Sequence, residues 1–381
     1  MIDFSPTHDQ EVMLETIGRY LKRRLPLTEI LRRDHEHVPP YDLLPEVGEM
    51  GILGLTLPTE YGGMGERWMT LALIQERIAQ HAYFVASFVS SVVAFGGMSL
   101  LSYGSDAQKK QWLPKLIAGQ TWFALALTEP QAGSDAASLI TRAERVPGGW
   151  RINGRKTWIS NAEGASCLVV PVRTEKGSKG NKGITAFLVP RNTEGVSMTV
   201  IDKVGNNCMP SFDIGFDDVF VDESAMMGEE GRGFGNILST LHYSRSSMAA
   251  AATGCAQNAV NLALAHAKER EQFGRPIGKF QAIRHRLADM QMRVDQARLI
   301  VWHLAWLISE GLPCRRQSAQ AKVIATETLQ YVTNHGMQIL AGAGYATDSD
   351  MQRMWRDARL YSFGEGTNEI QRELIGRELG L

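Results

Sequence analysis

Four short polar segments of this chain carry residue types that can do chemistry. They combine hydroxyls, carboxylates, an indole and guanidinium groups with glycine turns, and they are residues 128–135 (TEPQAGSD), 158–161 (WISN), 270–277 (REQFGRPI) and 364–370 (GEGTNEI). The last segment places Glu365 between two glycines, in a turn before a C-terminal helix. Taken singly, each segment is better explained by helix capping and turn chemistry. Their joint occurrence is what requires another explanation.

Several common catalytic patterns do not occur in the sequence. There is no GxSxG elbow and no HExxH pair. The segment 342–347 (GAGYAT) begins like a dinucleotide-binding loop, but it lacks the third glycine and follows a predicted helix. The four cysteines are far apart with no CxxC pair, so we expect inert buried thiols in a reducing compartment rather than a zinc site or disulfides. His242 is interpreted as a helix residue rather than a catalytic base, and no metal site is expected.

The composition is that of an ordinary globular protein. Of its 381 residues, 44% are hydrophobic and 21% are charged, and the formal net charge of −1 gives no reason to expect a nucleic-acid partner. Residues 80–105 contain no charged side chain, but several serines and glycines dilute the stretch, so buried core helices are expected rather than a membrane span. The first six residues lack the basic head and apolar core of a signal peptide. We therefore expect a cytoplasmic protein.

Three successive sections of the chain must position the polar segments. The patterns predict an N-terminal helical domain (1–120), a middle β domain (121–228) and a C-terminal helical domain (229–381), which together make an α+β fold that is mostly α. The middle section has no helices between its strands, which predicts an antiparallel barrel or sandwich and argues against a βαβ domain. Predicted strands cover 166–173, 184–190, 196–204 and the alternating Phe212, Ile214 and Phe216. Asn153-Gly154 predicts a tight hairpin, and 176–183 predicts a long hairpin tip.

The C-terminal section has the pattern of a four-helix bundle. Apolar residues recur at alternating spacings of four and three along one long helix, namely Ile283, Leu287, Met290, Val294, Ala297, Val301, Leu304 and Ile308. A Gly311-Leu-Pro313 sequence ends this helix. Helices over about 237–269 and 318–340, with a shorter one near the C-terminus, complete the bundle.

In this order and with these spacings, the four polar segments resemble those of the acyl-CoA dehydrogenase family. The segments TEPQAGSD (128–135) and EGTNEIQR (365–372) are the most specific. The resemblance extends over essentially the whole chain and includes the helix–sheet–helix order. It implies FAD as cofactor, an acyl-CoA substrate, electron-transferring flavoprotein as the electron acceptor, and a homotetramer built as two dimers.

The resemblance also implies which residues surround the flavin ring. Leu125, Leu127 and Thr128 would lie along the ring, and Ser134 would reach both the cofactor and the CoA chain. Trp158 and Ser160 would cover the flavin face near its reactive nitrogen. Many relatives carry Thr where Ser160 stands, which keeps the hydroxyl.

Further positions are implied for the rest of FAD and for the substrate. Arg270 resembles the residue that holds the pyrophosphate from a neighbouring subunit, where a guanidinium fork suits phosphate. The other implied cofactor contacts are Gln272, Phe273, Gln281, Gln338, Gly342, Thr367 and Glu369, although Ala341 stands where a second glycine is usual. Arg245 and Gly366 are expected near the substrate, and Arg377 near its CoA portion.

Glu365 is the residue that the resemblance identifies as the catalytic base. Dehydrogenation needs a base for the α proton and a two-electron acceptor, which the flavin supplies. A free Glu has a pKa near ~4.3, so Glu365 must be desolvated to become basic enough, and its flanking glycines allow a sharp turn. Some relatives carry the base directly before the arginine at Arg245, but here that residue is Ser244, which cannot serve.

One departure from the family pattern concerns the acyl group. A tyrosine is common before the glutamate, and this chain has Gly364, which would enlarge the pocket unless Phe363 or Met248 fills it. Two other functions share the fold: an oxygen-using flavoenzyme, either an acyl-CoA oxidase or a monooxygenase, and a non-catalytic binding or assembly factor. Glu365 argues against the monooxygenases, and a length of 381 residues argues against the larger oxidases.

Overall fold

A computed structural model describes residues 5–381 of the chain. Helices form the first part, strands the middle and helices the last part, as the sequence predicted. The N-terminal helices are α1 His8–Arg24, α2 Leu27–Glu36, α3 Leu44–Glu49, α4 Trp68–Ala79, α5 Tyr83–Ser90, α6 Ser99–Tyr103 and α7 Asp106–Ile117. Thr7 begins α1 with a capping box to Gln10, which is the chemistry that the polar start of this segment indicates.

The apolar stretch in the N-terminal part is a core helix. Tyr83–Tyr103 is continuous, because the π-helical residues Ser91–Met98 join α5 to α6. By length and composition it could cross a bilayer, but 78% of its most apolar window is buried inside the protein. This burial agrees with the prediction of core helices.

Eight of the strands form one sheet. They are β1 Phe123–Leu125, β2 Arg142–Val146, β3 Gly149–Ser160, β4 Cys167–Arg173, β5 Ile184–Pro190, β6 Val196–Ile201, β7 Ser211–Asp222 and β8 Met226–Met227. The strand order is β6-β7-β3-β2-β4-β5-β8, with β1 added beside β4. Most neighbours pair antiparallel, but β1 pairs with β4 in parallel and β2 touches β4 in parallel at one residue pair. The sheet is therefore mixed rather than wholly antiparallel.

The prediction of a hairpin at Asn153-Gly154 is wrong. Both residues lie inside β3, where its register with β7 shifts, and the turn that begins β3 is at 147–148 instead. A Cβ atom at Gly154 would lie 2.6 Å from the Thr141 hydroxyl oxygen, and its φ is 149°. The glycine is needed because a neighbouring strand approaches closely at a bulge, which local sequence does not distinguish from a turn.

Three long helices form most of the C-terminal part. They are α8 Gly233–Glu269, α9 Gln281–Ser309 and α10 Arg315–Leu340, and the shorter α11 Gly342–Tyr345, α12 Asp350–Ala358 and α13 Asn368–Glu378 follow. The three long helices pack on one another, and α13 packs against α10, so the bundle has three long members and one short one. A two-stranded hairpin, β9 Glu271–Gln272 and β10 Arg275–Pro276, separates α8 from α9.

Helices α8 and α10 run side by side in the same direction, because α9 returns between them. A Cβ atom at Gly336 would lie 3.7 Å from the carbonyl oxygen of Ala259. At this alignment Arg245 lies level with Lys322 near one end of the bundle. Arg270 and the C-terminus of α10 lie at the other end.

Candidate active site

Glu365 lies in a sharp turn between a 3-10 turn at Leu360–Ser362 and α13. Its φ is 55°, in the left-handed region that a glutamate seldom adopts, and Gly366 follows with φ 90°. Thr367 then caps α13, because its hydroxyl accepts a hydrogen bond from the Ile370 amide at 3.2 Å. The two residues after the cap, Asn368 and Glu369, begin the helix.

The carboxylate of Glu365 is desolvated and incompletely paired. The residue as a whole keeps some solvent exposure, yet its Oε2 atom is buried and has no hydrogen-bond partner within residues 5–381. Burial raises the pKa of Glu365 above its ordinary value, while the Ser244 hydroxyl and the charges of Arg245 and Lys322 oppose that rise. Such a carboxylate is a stronger base than one in water, and one of its oxygens is free to accept a proton.

Ser244 and Arg245 face Glu365 from α8. Ser244 is fully buried and donates a hydrogen bond to the Leu241 carbonyl at 3.1 Å. Arg245 is buried as well, and its Nη2 lies 3.5 Å from the backbone oxygen of Glu365. Its Nε has no partner in the described part of the chain, and burial lowers its pKa. Arg245, which the sequence predicted to lie near the substrate, thus has an unused N–H donor at Nε.

Lys322, which sequence analysis did not single out, holds the turn that carries Glu365. It is fully buried in α10. Its Nζ donates to the carbonyls of Ser362 at 3.1 Å and Gly366 at 3.0 Å, and to Asn368 Oδ1 at 2.8 Å. A lysine within a run of buried α10 positions is the signal that could have revealed it.

The predicted flavin-ring residues line a surface at the end of β1. Leu125, Leu127 and Thr128 are half-buried, whereas the intervening Ala126 is fully buried. Leu127 also packs against a small buried cluster of Leu139, Ile184 and Phe234, and Phe234 lies at the start of α8, the helix that carries Ser244 and Arg245. We call the surface formed by Leu125, Leu127 and Thr128 the β1 ledge. It is therefore joined to α8, which carries the residues facing Glu365.

Trp158 and Ser160 lie on β3 next to the β1 ledge. The strand is irregular here, Trp158 has φ 60°, and its side chain is 50% exposed. The Thr157 amide donates to the Thr128 carbonyl at 2.9 Å, which joins β3 to the end of the ledge. Ser160 is exposed. An exposed indole beside half-buried apolar groups suits stacking against a flat aromatic ligand.

Glu129, the first carboxylate of the TEPQAGSD segment, has a structural role. It is buried with Lys156, and their ion pair measures 2.8 Å. Glu129 also accepts hydrogen bonds from the amides of Ile140 at 2.7 Å and Thr141 at 3.0 Å. Lys156 donates to the Leu127 carbonyl at 3.2 Å, so the pair fixes the backbone of the ledge. Ser134 lies beyond it on an exposed loop.

A second group of predicted cofactor residues lies at the opposite end of the bundle. Arg270 directly follows α8, Gln281 begins α9, and Gln272 and Phe273 form part of the hairpin between the two helices. All four are exposed, and Phe273, at the hairpin tip, is 92% exposed with φ 54°. An exposed phenylalanine on a tight two-residue turn is placed to contact something outside this chain.

The remaining predicted residues divide between the two ends. Gln338 and Gly342 are exposed at the C-terminal end of α10, on either side of Ala341. Glu369 lines a cleft of about 290 Å³ beside the Glu365 turn, with Arg359 and Phe363 among the other lining residues. Arg377 is exposed on α13 and pairs with Glu373 at 3.0 Å.

Backbone strain coincides with the predicted site segments. Eight non-glycine residues in the described chain have positive φ, and four of them (His37, Asn161, Asn206 and Asp218) are of types that tolerate it. The other four are Trp158, Phe273, Ala341 and Glu365. Each of these four is a predicted site residue or adjoins one. Strained backbone concentrates at functional sites, so this coincidence supports the site independently of sequence motifs.

These residues fit a flavin. The β1 ledge offers half-buried apolar side chains, backbone groups and the Thr128 hydroxyl, and Trp158 offers an exposed ring. The structure also holds a buried carboxylate, Glu365, with one oxygen unpartnered among the described residues. Together these residues offer a proton acceptor and a surface for a flat redox cofactor.

Comparisons with known proteins find similar proteins over nearly the whole chain. Family models for acyl-CoA dehydrogenase match the N-terminal domain over residues 7–120, the middle domain over 124–219 and the C-terminal domain over 231–380. A probable acyl-CoA dehydrogenase, YngJ of Bacillus subtilis, is 37% identical over 99% of this chain and 100% of its own length. A 3-(aryl)acrylate reductase of Clostridium sporogenes is 37% identical over 89% and 90%. The rat mitochondrial short-chain specific acyl-CoA dehydrogenase is 34% identical over 99% and 91%.

Solved structures are similar over the same extent. Butyryl-CoA dehydrogenase from Megasphaera elsdenii superposes with a TM-score of 0.96 at 34% identity, covering 100% of both chains. A chain from a study of the electron transferring flavoprotein of Acidaminococcus fermentans gives 0.95 at 33%, covering 99% of both. The FAD complex of PigA gives 0.94 at 26%, covering 100% of both.

Proposed function

Because this chain belongs to the acyl-CoA dehydrogenase family, whose cofactor is FAD, we propose that it oxidises an acyl-CoA thioester to the 2-enoyl-CoA and passes the electrons to electron-transferring flavoprotein. The observation that carries the proposal is the buried carboxylate of Glu365, with one oxygen unpartnered among the described residues. A carboxylate that is both desolvated and free is what removal of a weakly acidic α proton requires.

Glu365 is the group that takes the α proton. In water a glutamate is too weak a base, and burial raises the pKa of Glu365 towards the working range. The positive charges of Arg245 and Lys322 oppose the rise, which favours the ionised form. After the proton transfer, Glu365 is neutral, and its buried setting favours that form. FAD, when bound, supplies the two-electron acceptor for the hydride from the β carbon.

A complete cofactor site needs a second copy of the chain. Arg245 lies in α8 and Arg270 directly follows that helix, 25 residues later, which corresponds to about 37 Å at 1.5 Å per residue. The pyrophosphate lies only partway along FAD, so the Arg270 group and the Glu365 turn of one chain would serve different cofactors. The proposed assembly is a homotetramer of two dimers in which each FAD contacts Arg270, Gln272, Phe273, Gln281, Gln338 and Gly342 of a partner subunit.

Subunit mixing tests this arrangement. Arg270→Ala and Glu365→Gln chains are each expected to be inactive as homo-oligomers. Co-expressed with different tags and purified as hybrids, they should regain activity, because one site per hybrid dimer then combines native Glu365 with native Arg270 of the other chain. Hybrids with no more activity than the parents would contradict a shared site. So would a fully flavinated, active monomer in light scattering.

The acyl pocket is proposed to accept groups that are bulky or branched near the reacting carbons. Gly364 adjoins Glu365 without a positive φ, so the backbone does not demand glycine there. A Cβ at this position would meet only the Leu360 carbonyl oxygen at 3.6 Å and side-chain atoms of Leu360 and Met248 at 3.9 Å. Phe363 lines the separate cleft beside Glu369. Leu360 and Met248 are thus the neighbours that limit the space.

Anaerobic titration with a panel of straight, branched and cyclic acyl-CoAs tests the reaction itself. The proposal predicts bleaching of the flavin by at least one acyl-CoA, rapid reoxidation by electron-transferring flavoprotein and slow reoxidation by oxygen. Rapid reoxidation by oxygen would identify an oxidase or monooxygenase, and no bleaching by any member would favour a non-catalytic factor. The four free, buried cysteines suit a reducing compartment, and a cytoplasmic location is part of the proposal.

A further inference from the structure

We propose that Lys322 is a positioning residue of the reaction, whose ammonium group fixes the Glu365 turn and places a positive charge near the base. The inference rests on the proposed role of Glu365. It concerns a residue of α10 that belongs to none of the four polar segments.

Lys322 contacts residues on both sides of Glu365 in the sequence. Its three acceptors belong to Ser362, Gly366 and Asn368, which lie before and after Glu365. An ammonium has three N–H donors, so all three are used, and a neutral amine would leave one acceptor without a donor. Because Glu365 has φ 55°, its turn is strained and needs an outside contact to hold it.

The charge of Lys322 has no carboxylate in direct contact among the described residues. Lys156, the other fully buried lysine, forms a 2.8 Å ion pair with Glu129. Lys322 instead contacts two carbonyls and an amide oxygen. A buried charge without a contacting counterion is costly, which points to a use for the charge beyond packing.

The charged groups around Lys322 show where that charge acts. Glu365 in the turn, Glu369 on α13 and Glu327 on α10 attract it, and Arg245 on α8 repels it. Burial is the largest influence and lowers the pKa of Lys322 to about 8. Glu327 is partly neutralised by Arg372, at 2.7 Å, and Glu369 is exposed. Glu365 is therefore the buried carboxylate on which the ammonium acts.

The sign of the effect follows from the interaction. Lys322 lowers the pKa of Glu365, so removing its charge should raise that pKa further. The base must be ionised to act, and the acid limb of the kcat/KM profile should move to higher pH. Losing the contacts to Ser362, Gly366 and Asn368 should in addition lower kcat, because the carboxylate is no longer held towards the α carbon.

The test uses FAD-loaded enzyme carrying Lys322→Met, which removes charge and donors, or Lys322→Gln, which keeps an amide donor without charge. Lys203→Met is the matched control, since Lys203 is a partly buried lysine that donates to the Asn206 carbonyl at 2.7 Å and is not among the charged groups that shift the pKa of Glu365. Per bound flavin, both Lys322 variants should lose at least tenfold in kcat while binding acyl-CoA within about threefold of wild type. The acid limb of their kcat/KM profiles should move to higher pH by half a pH unit or more. Lys203→Met should show neither the loss in kcat nor the shift in pH.

An infrared titration separates this proposal from the proposed reaction. The carbonyl band of protonated Glu365, identified by its absence from Glu365→Gln, reports the pKa of the carboxyl without turnover. In both Lys322 variants that titration should shift to higher pH. An unmoved band, or turnover per flavin and an acid limb equal to wild type, would overturn the proposal and leave Lys322 a packing residue. If Lys322→Met does not fold, Lys322→Gln decides by the same criteria.

Discussion

Ser244 on α8 lies beside the carboxylate of Glu365 and lowers the pKa of that carboxyl. The two residues are 121 positions apart in sequence. The position before Arg245 and the position after Gly364 thus open onto the same buried space. A base placed at either one could reach the same substrate carbon.

This convergence predicts that the base can be moved. Glu365→Gly should be nearly inactive, and its backbone should tolerate glycine because residue 365 has φ 55°. Adding Ser244→Glu to that variant should raise kcat at least tenfold, because the space vacated by Glu365 accepts the new carboxylate. Ser244→Gln in the same background is the control and should restore nothing. A double variant no faster than Glu365→Gly would show that the two positions do not share a proton acceptor site.

Gly364→Tyr should restrict the acyl pocket selectively. The new ring would project beside Met248, whose Cε lies 3.9 Å from the position of an added Cβ. We expect kcat/KM for branched or cyclic acyl-CoAs to fall at least tenfold more than for straight chains, which corresponds to ~1.4 kcal/mol. Gly364→Ala, which adds only the Cβ, should change kcat/KM little for either class of substrate. An equal loss on every substrate would mean that Gly364 does not shape the pocket.

Lys156→Met should destabilise the protein and release cofactor. It leaves Glu129 as an uncompensated buried charge, which costs about 3–5 kcal/mol, and it removes the contact to the Leu127 carbonyl. Urea unfolding and flavin content measure the two effects. Arg145→Met is the matched control, because Arg145 forms ion pairs with Glu223 and Glu230 while its side chain is 53% exposed. It should cost less than ~1 kcal/mol. Equal effects of the two changes would contradict a structural role for the buried pair.

Ala341→Gly should stabilise the chain. Ala341 has φ 50° and ψ −130°, a conformation that glycine adopts without strain and alanine does not. The expected gain is about 1 kcal/mol in the free energy of unfolding. Ala343→Gly, in the exposed short helix α11, should instead destabilise by about 0.5–1 kcal/mol. A lower unfolding midpoint for Ala341→Gly would show that this turn relaxes in solution.

The fold was largely predictable because periodicity reports which face of an element is buried. The spacing of Met290, Val294, Ala297 and Val301 predicted the seam of α9, and all four are fully buried. Asn153-Gly154 misled because a glycine required by a close neighbouring strand has the same local signature as a hairpin glycine. The parallel neighbours of β4 were missed for a related reason. Strand pairing depends on contacts between distant segments, which a single sequence does not show.

The sequence predicted which segments form the candidate site, but not the role of each residue in them. Glu129 and Glu365 both lie in polar motifs. Only their contacts in the folded chain show that Glu129 is a structural carboxylate and that Glu365 has a free oxygen. Lys322 was missed because a lone lysine in a helix is normally a surface residue. Its buried contacts depend on how the Glu365 turn packs against α10. The assignments of Arg270, Trp158 and the other cofactor residues stay predictions until FAD is seen bound to them.

The turnover of Glu365→Gln with acyl-CoA and electron-transferring flavoprotein tests the role of Glu365 most directly. The substitution preserves size and removes the proton acceptor. The purified variant should remain yellow, with about one FAD per chain, and should bind acyl-CoA within about threefold of wild type, as flavin absorbance will show. Its kcat should fall by several orders of magnitude, because the α proton has no other acceptor. A kcat within about tenfold of wild type, or ~1.4 kcal/mol in barrier, would contradict Glu365 as the base.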